Sequence, residues 1–229
     1  VGFIGAAVEH PNEIMLCEEL VQGPTLQHFL MKHLNKRLPR HTAYGWIQQL
    51  FSGLAFLHGQ DPIIIHRDLK PSNIVLSQDL ATLKIIDFGT AKLVRRQEKG
   101  TEWHSGYNSG NARYMAPEVR RAEVGRYDES SDIFGAGLIA WRVGAMRDFI
   151  TRERWPSEEW RPDPAAVGWP NLQALIAMCW SHDPRGRPSA AAALQMLHSF
   201  DDKPDLAATG VAPDASKFGS GGGGGCTVM

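Results

Sequence analysis

The stretch from Ile63 to Gly89 restricts the fold of this chain more than any other part of it. Two apolar runs, Ile74–Leu76 and Leu83–Ile86, have the composition of short buried strands, and the turn-forming residues Ser77–Thr82 join them. Isolated polar groups adjoin each run: Asp68 and Asn73 come before the first, and Asp87 follows the second. A hairpin of this size brings Asp68, Asn73 and Asp87 to one end of a rigid ribbon. Two carboxylates and an amide suit a hard divalent cation such as magnesium, which takes oxygen ligands and carries phosphates with it.

The 229 residues allow one large domain or two small ones. A net charge of −1 does not indicate a nucleic-acid footprint or a polybasic membrane surface. Cys17, Cys179 and Cys226 lie far apart without metal-ligand spacing, so a reducing, cytoplasmic setting is expected over a disulfide scaffold. No apolar run approaches the ~20 residues of a membrane span, and no signal peptide is visible. The chain begins at Val1 and is read as a fragment or a processed form.

His66-Arg67-Asp68-Leu69-Lys70-Pro71-Ser72-Asn73 is followed by Asp87-Phe88-Gly89 and then by Met115-Ala116-Pro117-Glu118. This ordered set resembles the catalytic loop, the metal-binding triplet and the end of the activation segment of eukaryotic protein kinases. A buried polar turn between core strands does not explain the joint order. The resemblance implies an α+β, protein kinase-like fold with a mainly α-helical large lobe and a partial β small lobe. It places a partial small lobe and hinge at 1–22 and the large lobe at 23–200, while the Asp, Pro, Ala and Gly content of 201–229 reads as a disordered Gly-rich tail.

Val1–Val8 and Ile14–Cys17 read as two strands around the turn signal His10-Pro11-Asn12-Glu13. In the family they match the last small-lobe strands, so the following residues, with Glu19 and Val21 among them, imply the hinge that binds adenine. The gatekeeper falls on Glu18, or on Cys17 with a one-residue offset. A glycine-rich loop, a strand lysine and a helix glutamate are also required of the family, and residues 1–30 do not supply them. An N-terminally truncated domain is therefore expected.

Residues 42–58 carry Trp46, Ile47, Leu50, Phe51, Leu54 and Leu57 at helical spacing, with Thr42 as N-cap. Residues 90–114 read as a long polar loop of the kind that is usually functional. Thr101, Ser105, Tyr107 and Ser109 are its candidate phosphorylation sites, and Arg67 could pair with a phosphate placed there. Ser131–Trp141 is apolar almost all round and should be buried. The resemblance makes it the central pillar of the large lobe, with Asp132 holding the catalytic-loop backbone. Ala136 and Arg142 depart from the aromatic and the glutamate usual there, and looser packing is expected. Asn171–Trp180 and Ser189–Phe200 read as two further helices, the second opened by Pro188-Ser189. The intervening Cys179-Trp180, Asp183-Pro184 and Arg187-Pro188-Ser189 resemble the signature of the tyrosine-kinase-like and tyrosine kinase branches, which implies a pairing of Arg187 with Glu118.

Gly221–Gly225 is a flexible linker, and Cys226-Thr227-Val228-Met229 fits a C-a-a-X prenylation box with methionine favouring farnesyl. Thr227 is not aliphatic, and Lys217 alone offers positive charge nearby. One lipid chain anchors only marginally, so membrane association is expected only if Cys226 is prenylated.

The resemblance implies transfer of the ATP γ-phosphate to a hydroxyl of a protein substrate. Asp68 would orient or accept the hydroxyl proton, and Lys70 would place positive charge beside the phosphate. Asn73 and Asp87 would hold Mg2+, and Val75 would form the apolar floor beneath adenine. The lysine of Asp-Leu-Lys-Pro points to serine/threonine specificity, although Asn111 departs from the threonine usual in the substrate loop. A non-catalytic kinase-fold scaffold and a small-molecule kinase are the competing readings. Residues 1–229 alone are expected to fold in the large lobe without phosphorylating, and the oligomeric state is left open.

Overall fold

The computed structural model describes residues 1–10, 13–95, 113–121, 128–148, 160–201 and 204. The candidate phosphorylation sites Thr101, Ser105, Tyr107 and Ser109, the departure at Asn111, and the tail with Lys217, Gly221–Gly225 and Cys226 lie outside the described residues.

The chain opens with an antiparallel hairpin, β1 (Phe3–His10) and β2 (Glu13–Glu18), in which Phe3 faces Glu18 and Val8 faces Ile14. A short helix follows, α1 (Leu26–Lys32), capped by Thr25, whose hydroxyl accepts from the His28 N–H at 3.1 Å. Next comes α2 (Arg40–Gly59), which buries Trp46, Ile47, Leu50, Phe51, Leu54 and Leu57 on one stripe. Thr42 is not its cap, because the helix starts two residues earlier. Pro39, in extended conformation, precedes the first turn, and the Thr42 side chain is turned into the core.

Two small antiparallel sheets frame the loop that follows α2. In one, β3 (Ile63–Ile65) pairs with β6 (Lys92–Val94). In the other, β4 (Ile74–Leu76) pairs with β5 (Leu83–Ile85), Val75 lying opposite Lys84. The expected hairpin is thus present. Its second strand ends one residue early, although Ile86 still donates its N–H to the Asn73 carbonyl at 3.0 Å. β6 corrects the reading of 90–114 as loop throughout: only three residues pair, too few to show a period.

The helical body is organised on α4 (Glu129–Ala145), buried continuously from Ser131 to Val143. α5 (Pro170–Cys179) crosses it at Gly137, where a Cβ would lie 2.7 Å from that of Cys179, so only glycine permits the approach. α6 (Ala190–Ser199) is capped by Ser189 and joined to α2 by the Tyr44 hydroxyl, which donates to the Leu197 carbonyl at 2.6 Å. A one-turn helix, α3 (Pro117–Arg120), carries Glu118.

The expected loosening around Ala136 and Arg142 does not occur. Ala136 is fully buried. The buried Arg142 guanidinium donates to Gln27 Oε1 at 3.0 Å and to the Tyr114 hydroxyl at 2.7 Å, and lies 3.1 Å from Asp148. Burial pushes the Tyr114 phenol up to about 12, so it stays neutral beside this cation.

Candidate active site

The loop between β3 and β4 is held from below by Asp132, in the first turn of α4. One carboxylate oxygen accepts from the His66 N–H at 2.8 Å and the other from the Arg67 N–H at 3.0 Å. His58, in the last turn of α2, adds its Nε2 at 3.0 Å. These bonds hold Arg67 at φ +70°, a left-handed conformation costly for a residue with a Cβ. The His66 ring places Nε2 2.9 Å from the Ile86 carbonyl, so that nitrogen carries the proton, and the ring packs on Phe88 with centroids 5.2 Å apart. The triplet is thereby tied to the loop.

Burial alone would raise the Asp132 carboxyl. The hydrogen bond from His58, the charges of His58 and His66 and the His66 N–H outweigh it and hold the group below the ordinary carboxylate value. A carboxyl depressed on folding adds stability that is present above its unfolded value, about 3.9. That stability is lost as pH falls through the lower folded value. Acid titration monitored by circular dichroism should therefore show a loss of stability below about pH 4. Asp132→Asn should lack that component and be the less stable chain at neutral pH. Superimposable acid limbs would remove Asp132 as the anchor.

Above this support three of the expected residues come together. Lys70 Nζ lies 2.5 Å from Asp68 Oδ2, and Asn73 Nδ2 donates to the same oxygen at 3.0 Å and to the Asp68 carbonyl at 2.9 Å. Asp68 Oδ1 accepts no hydrogen bond among the described residues. With Nδ2 engaged, Asn73 presents its Oδ1 as the remaining ligand atom. Asp68 also lines a cavity of about 20 Å³ with Tyr114, Met115 and Ala116, which brings the Ala-Pro-Glu segment beside it.

Asp87 is joined to this group through its neighbour, by the Ile86–Asn73 backbone bond. It is exposed, at φ +65°, and its Oδ1 accepts from the Gly89 N–H at 3.3 Å. Asn73 Oδ1 and the Asp87 carboxylate are hard oxygen donors, of the kind that could hold a divalent cation together with substrate phosphates. No group of three acidic, His or Cys residues that could hold a metal occurs among the described residues.

The segment 19–25 runs along the β4–β5 hairpin. Pro24 accepts from the Leu76 N–H at 2.9 Å, and Thr25 bridges to Val75. A Cβ on Gly23 would lie 2.0 Å from the Leu76 carbonyl, which makes glycine obligatory at this crossing. The Glu19 carboxylate accepts from Lys84 Nζ and, at 3.0 Å, from the Gly2 N–H; these bonds, Lys84 first, depress its carboxyl. Val75 sits on the opposite face of β4 from Ile74 and Leu76, and Val21 is half-buried nearby in the chain. Glu19 and Val75 thus meet the same strand partner, Lys84. Among the described residues Val21 forms no hydrogen bond with either, and Glu18 ends β2 exposed.

Glu118 and Arg187 form a buried two-pronged pair at 2.7 and 2.9 Å. Arg187 also donates to the carbonyls of Ser181 and Ser130 at 3.0 and 3.1 Å and stacks on Phe134. The sequence reading missed the part played by His58, which belongs to no motif and is marked only by its place at the end of an amphipathic helix. It also missed the Glu19–Lys84 pair.

A family model described as "protein kinase domain" matches residues 3–199. The dual specificity protein kinase shkA of Dictyostelium discoideum is 30% identical over 200 residues, 82% of this chain and 36% of the relative. The mitogen-activated protein kinase kinase kinase 7 of Homo sapiens is 36% identical over 190 residues, covering 78% of this chain and 30% of that protein. The serine/threonine-protein kinase VIK of Arabidopsis thaliana is 32% identical over 210 residues, 88% of this chain and 47% of the relative. The chain therefore spans from 30% to 47% of the length of these relatives.

Proposed function

This chain belongs to the protein kinase family, as a serine/threonine-type domain of the tyrosine-kinase-like branch, and we propose that it carries the machinery that transfers the γ-phosphate of ATP to a serine or threonine of a protein substrate. Asp68 Oδ1 takes the hydrogen bond of the substrate hydroxyl and orients it for attack. Lys70 and Asn73 hold the other carboxylate oxygen, which fixes the rotamer of Asp68. Lys70 also places positive charge beside the transferring phosphate. Asn73 Oδ1 and the Asp87 carboxylate would hold magnesium, which when bound would neutralise charge on the phosphate oxygens. Val75 lies under adenine, and the 19–21 backbone, with Glu19 and Val21, reads its edge. A cytoplasmic setting belongs to the same proposal, supported by the sparse cysteines.

The observation that carries this reading is the asymmetric carboxylate of Asp68: one oxygen is fixed by two donors and the other is open. Phosphoryl transfer asks a protein mainly for positioning and charge, and such a group supplies both. A non-catalytic scaffold would have no need of Asp68, Asn73 and Asp87 together.

The test is phosphate transfer from labelled ATP to a serine/threonine peptide library. The polypeptide used joins residues 1–229 to a glycine-rich loop and a strand lysine. Transfer is expected at an ordinary kinase rate of ~1–100 s⁻¹, stopping when magnesium is chelated. Residues 1–229 by themselves are expected to show weak or absent stabilisation by ATP and no transfer, since residues 1–30 carry neither the glycine-rich loop nor the strand lysine that would hold the phosphates. A folded, extended chain that binds ATP and transfers nothing would favour the scaffold.

A further inference from the structure

At the opposite end of α4 from Asp132 lies a second concavity with no part in the chemistry above. Ala145 is thirteen residues along the helix from Asp132, about 20 Å at 1.5 Å per residue. The concavity has a volume of about 370 Å³, within the roughly 300–1,000 Å³ usual for ligand pockets. Three segments form it: the connection between α1 and α2, the end of α4, and residues 166–169 before α5. They are tied together. The Asn35 N–H donates to the Met146 carbonyl at 2.9 Å, and the Met146 N–H closes α4 on the Arg142 carbonyl at 2.9 Å. Asn35, Met146 and Gly168 all take positive φ, so the walls are turns of defined shape.

The floor is apolar: Leu38, Met146 and Val167 are buried, and Trp169 is half-buried. The rim is basic. Lys36, Arg37, Arg40 and Arg147 are exposed, and Arg40 lies over the Trp169 ring at 4.7 Å. None of the described lining residues is acidic. Among the described residues no carboxylate pairs with Lys36, Arg37 or Arg147. The acidic residues closest in sequence are turned elsewhere, Asp148 to Arg142 and Asp163 to the Ala165 N–H. In a chain of net charge −1, four cations around one apolar depression are a local concentration of like charge. An anionic partner would relieve it.

We propose that this groove docks an acidic segment of a protein partner, with an apolar side chain on the Trp169 floor and carboxylates on the rim. The apolar floor is what favours a peptide over a free anion, since a phosphate has nothing to bury against Leu38, Met146 and Val167. The rim sets selectivity and encounter rate, and the floor holds the anchor. The site serves recruitment at a distance from Asp68 and does not depend on the assignment of the catalytic residues.

The probe is a fluorescein-labelled peptide alternating glutamate with leucine and phenylalanine, followed by anisotropy with the 229-residue chain. A matched peptide with glutamine in place of glutamate is the control. Saturable binding of the acidic peptide is expected, weakened about tenfold or more by Lys36→Glu together with Arg147→Glu, and by raising salt from about 0.05 to about 0.3 M. Both positions are exposed, so the melting temperature should not move. Trp169→Ala should weaken binding separately. Equal binding of the glutamine peptide, or unchanged affinity in the charge-reversed chain, would overturn the proposal. Complete displacement by millimolar inorganic phosphate would also overturn it, making the groove a phosphate site.

Discussion

Asp68→Asn is expected to reduce phosphate transfer by about 10²–10⁴-fold, the usual share of a positioned proton acceptor, while ATP binding and the melting temperature stay near the parent values. An amide has nearly the same volume as the carboxylate and leaves the cavity beside Tyr114 and Met115 unfilled to the same extent. It can still accept from Lys70 or Asn73 through one oxygen. It cannot present a negative oxygen to the substrate hydroxyl at the position where Asp68 Oδ1 now accepts nothing. The loss should therefore appear in kcat, with KM for ATP little changed. The comparison is made in the same extended polypeptide as the parent assay. Near-normal turnover of the asparagine variant would remove Asp68 from the proposed role, whatever the parent chain does.

Arg187→Ala is expected to cost about 3–5 kcal/mol, the range for breaking a buried ion pair from one side. The side chains of Arg187 and Glu118 are 0% and 5% exposed. Removing the guanidinium strands a carboxylate in the core and leaves the carbonyls of Ser130 and Ser181 without their donor. It also removes the cation stacked on Phe134, although Arg161 remains over that ring at 4.8 Å. At about 2–4 °C per kcal/mol for a chain of this size, the melting temperature should fall by roughly 6–20 °C. Glu118→Leu combined with Arg187→Met should cost much less than the sum of the single changes, because no charge is left unpaired. A loss below about 1 kcal/mol for Arg187→Ala would mean that the pair behaves as a solvent-exposed one.

Some of this was legible in the sequence. The run Trp46–Leu57 announces one buried stripe at a period near 3.6, and that stripe is buried. The apolar runs 74–76 and 83–86 announce the ribbon, and the β4–β5 register follows from a six-residue connection. The Glu118–Arg187 pair and the anchoring by Asp132 were accessible through the resemblance carried by the motifs. Helix starts were less legible: Thr42 has the right chemistry for a cap and sits instead in the second half of the first turn, buried, because Pro39 already sets the entry. β6 was invisible because three residues cannot display a period.

The sequence by itself determined which surfaces would be buried and which polar groups would be available near the hairpin. Hydrophobic spacing is a local property, and burial follows it directly. What those polar groups do was decided by the tertiary structure. Asp132 reaches His66 and Arg67 across 66 and 65 residues, and His58 reaches Asp132 across 74. Those long-range bonds hold Arg67 in a left-handed conformation, and on the loop so fixed the nearby Lys70 and Asn73 engage one oxygen of Asp68 and leave the other open. Arg142, which by its type should have loosened the core, is accommodated because packing brings Gln27, 115 residues away, and Tyr114 to its guanidinium. Likewise the four cations of the second groove lie at positions 36, 37, 40 and 147, and they share one rim because the α1–α2 connection closes on the end of α4. Hydrogen-bond direction and charge proximity depend on where separate elements are brought together, and spacing along the chain carries no record of it.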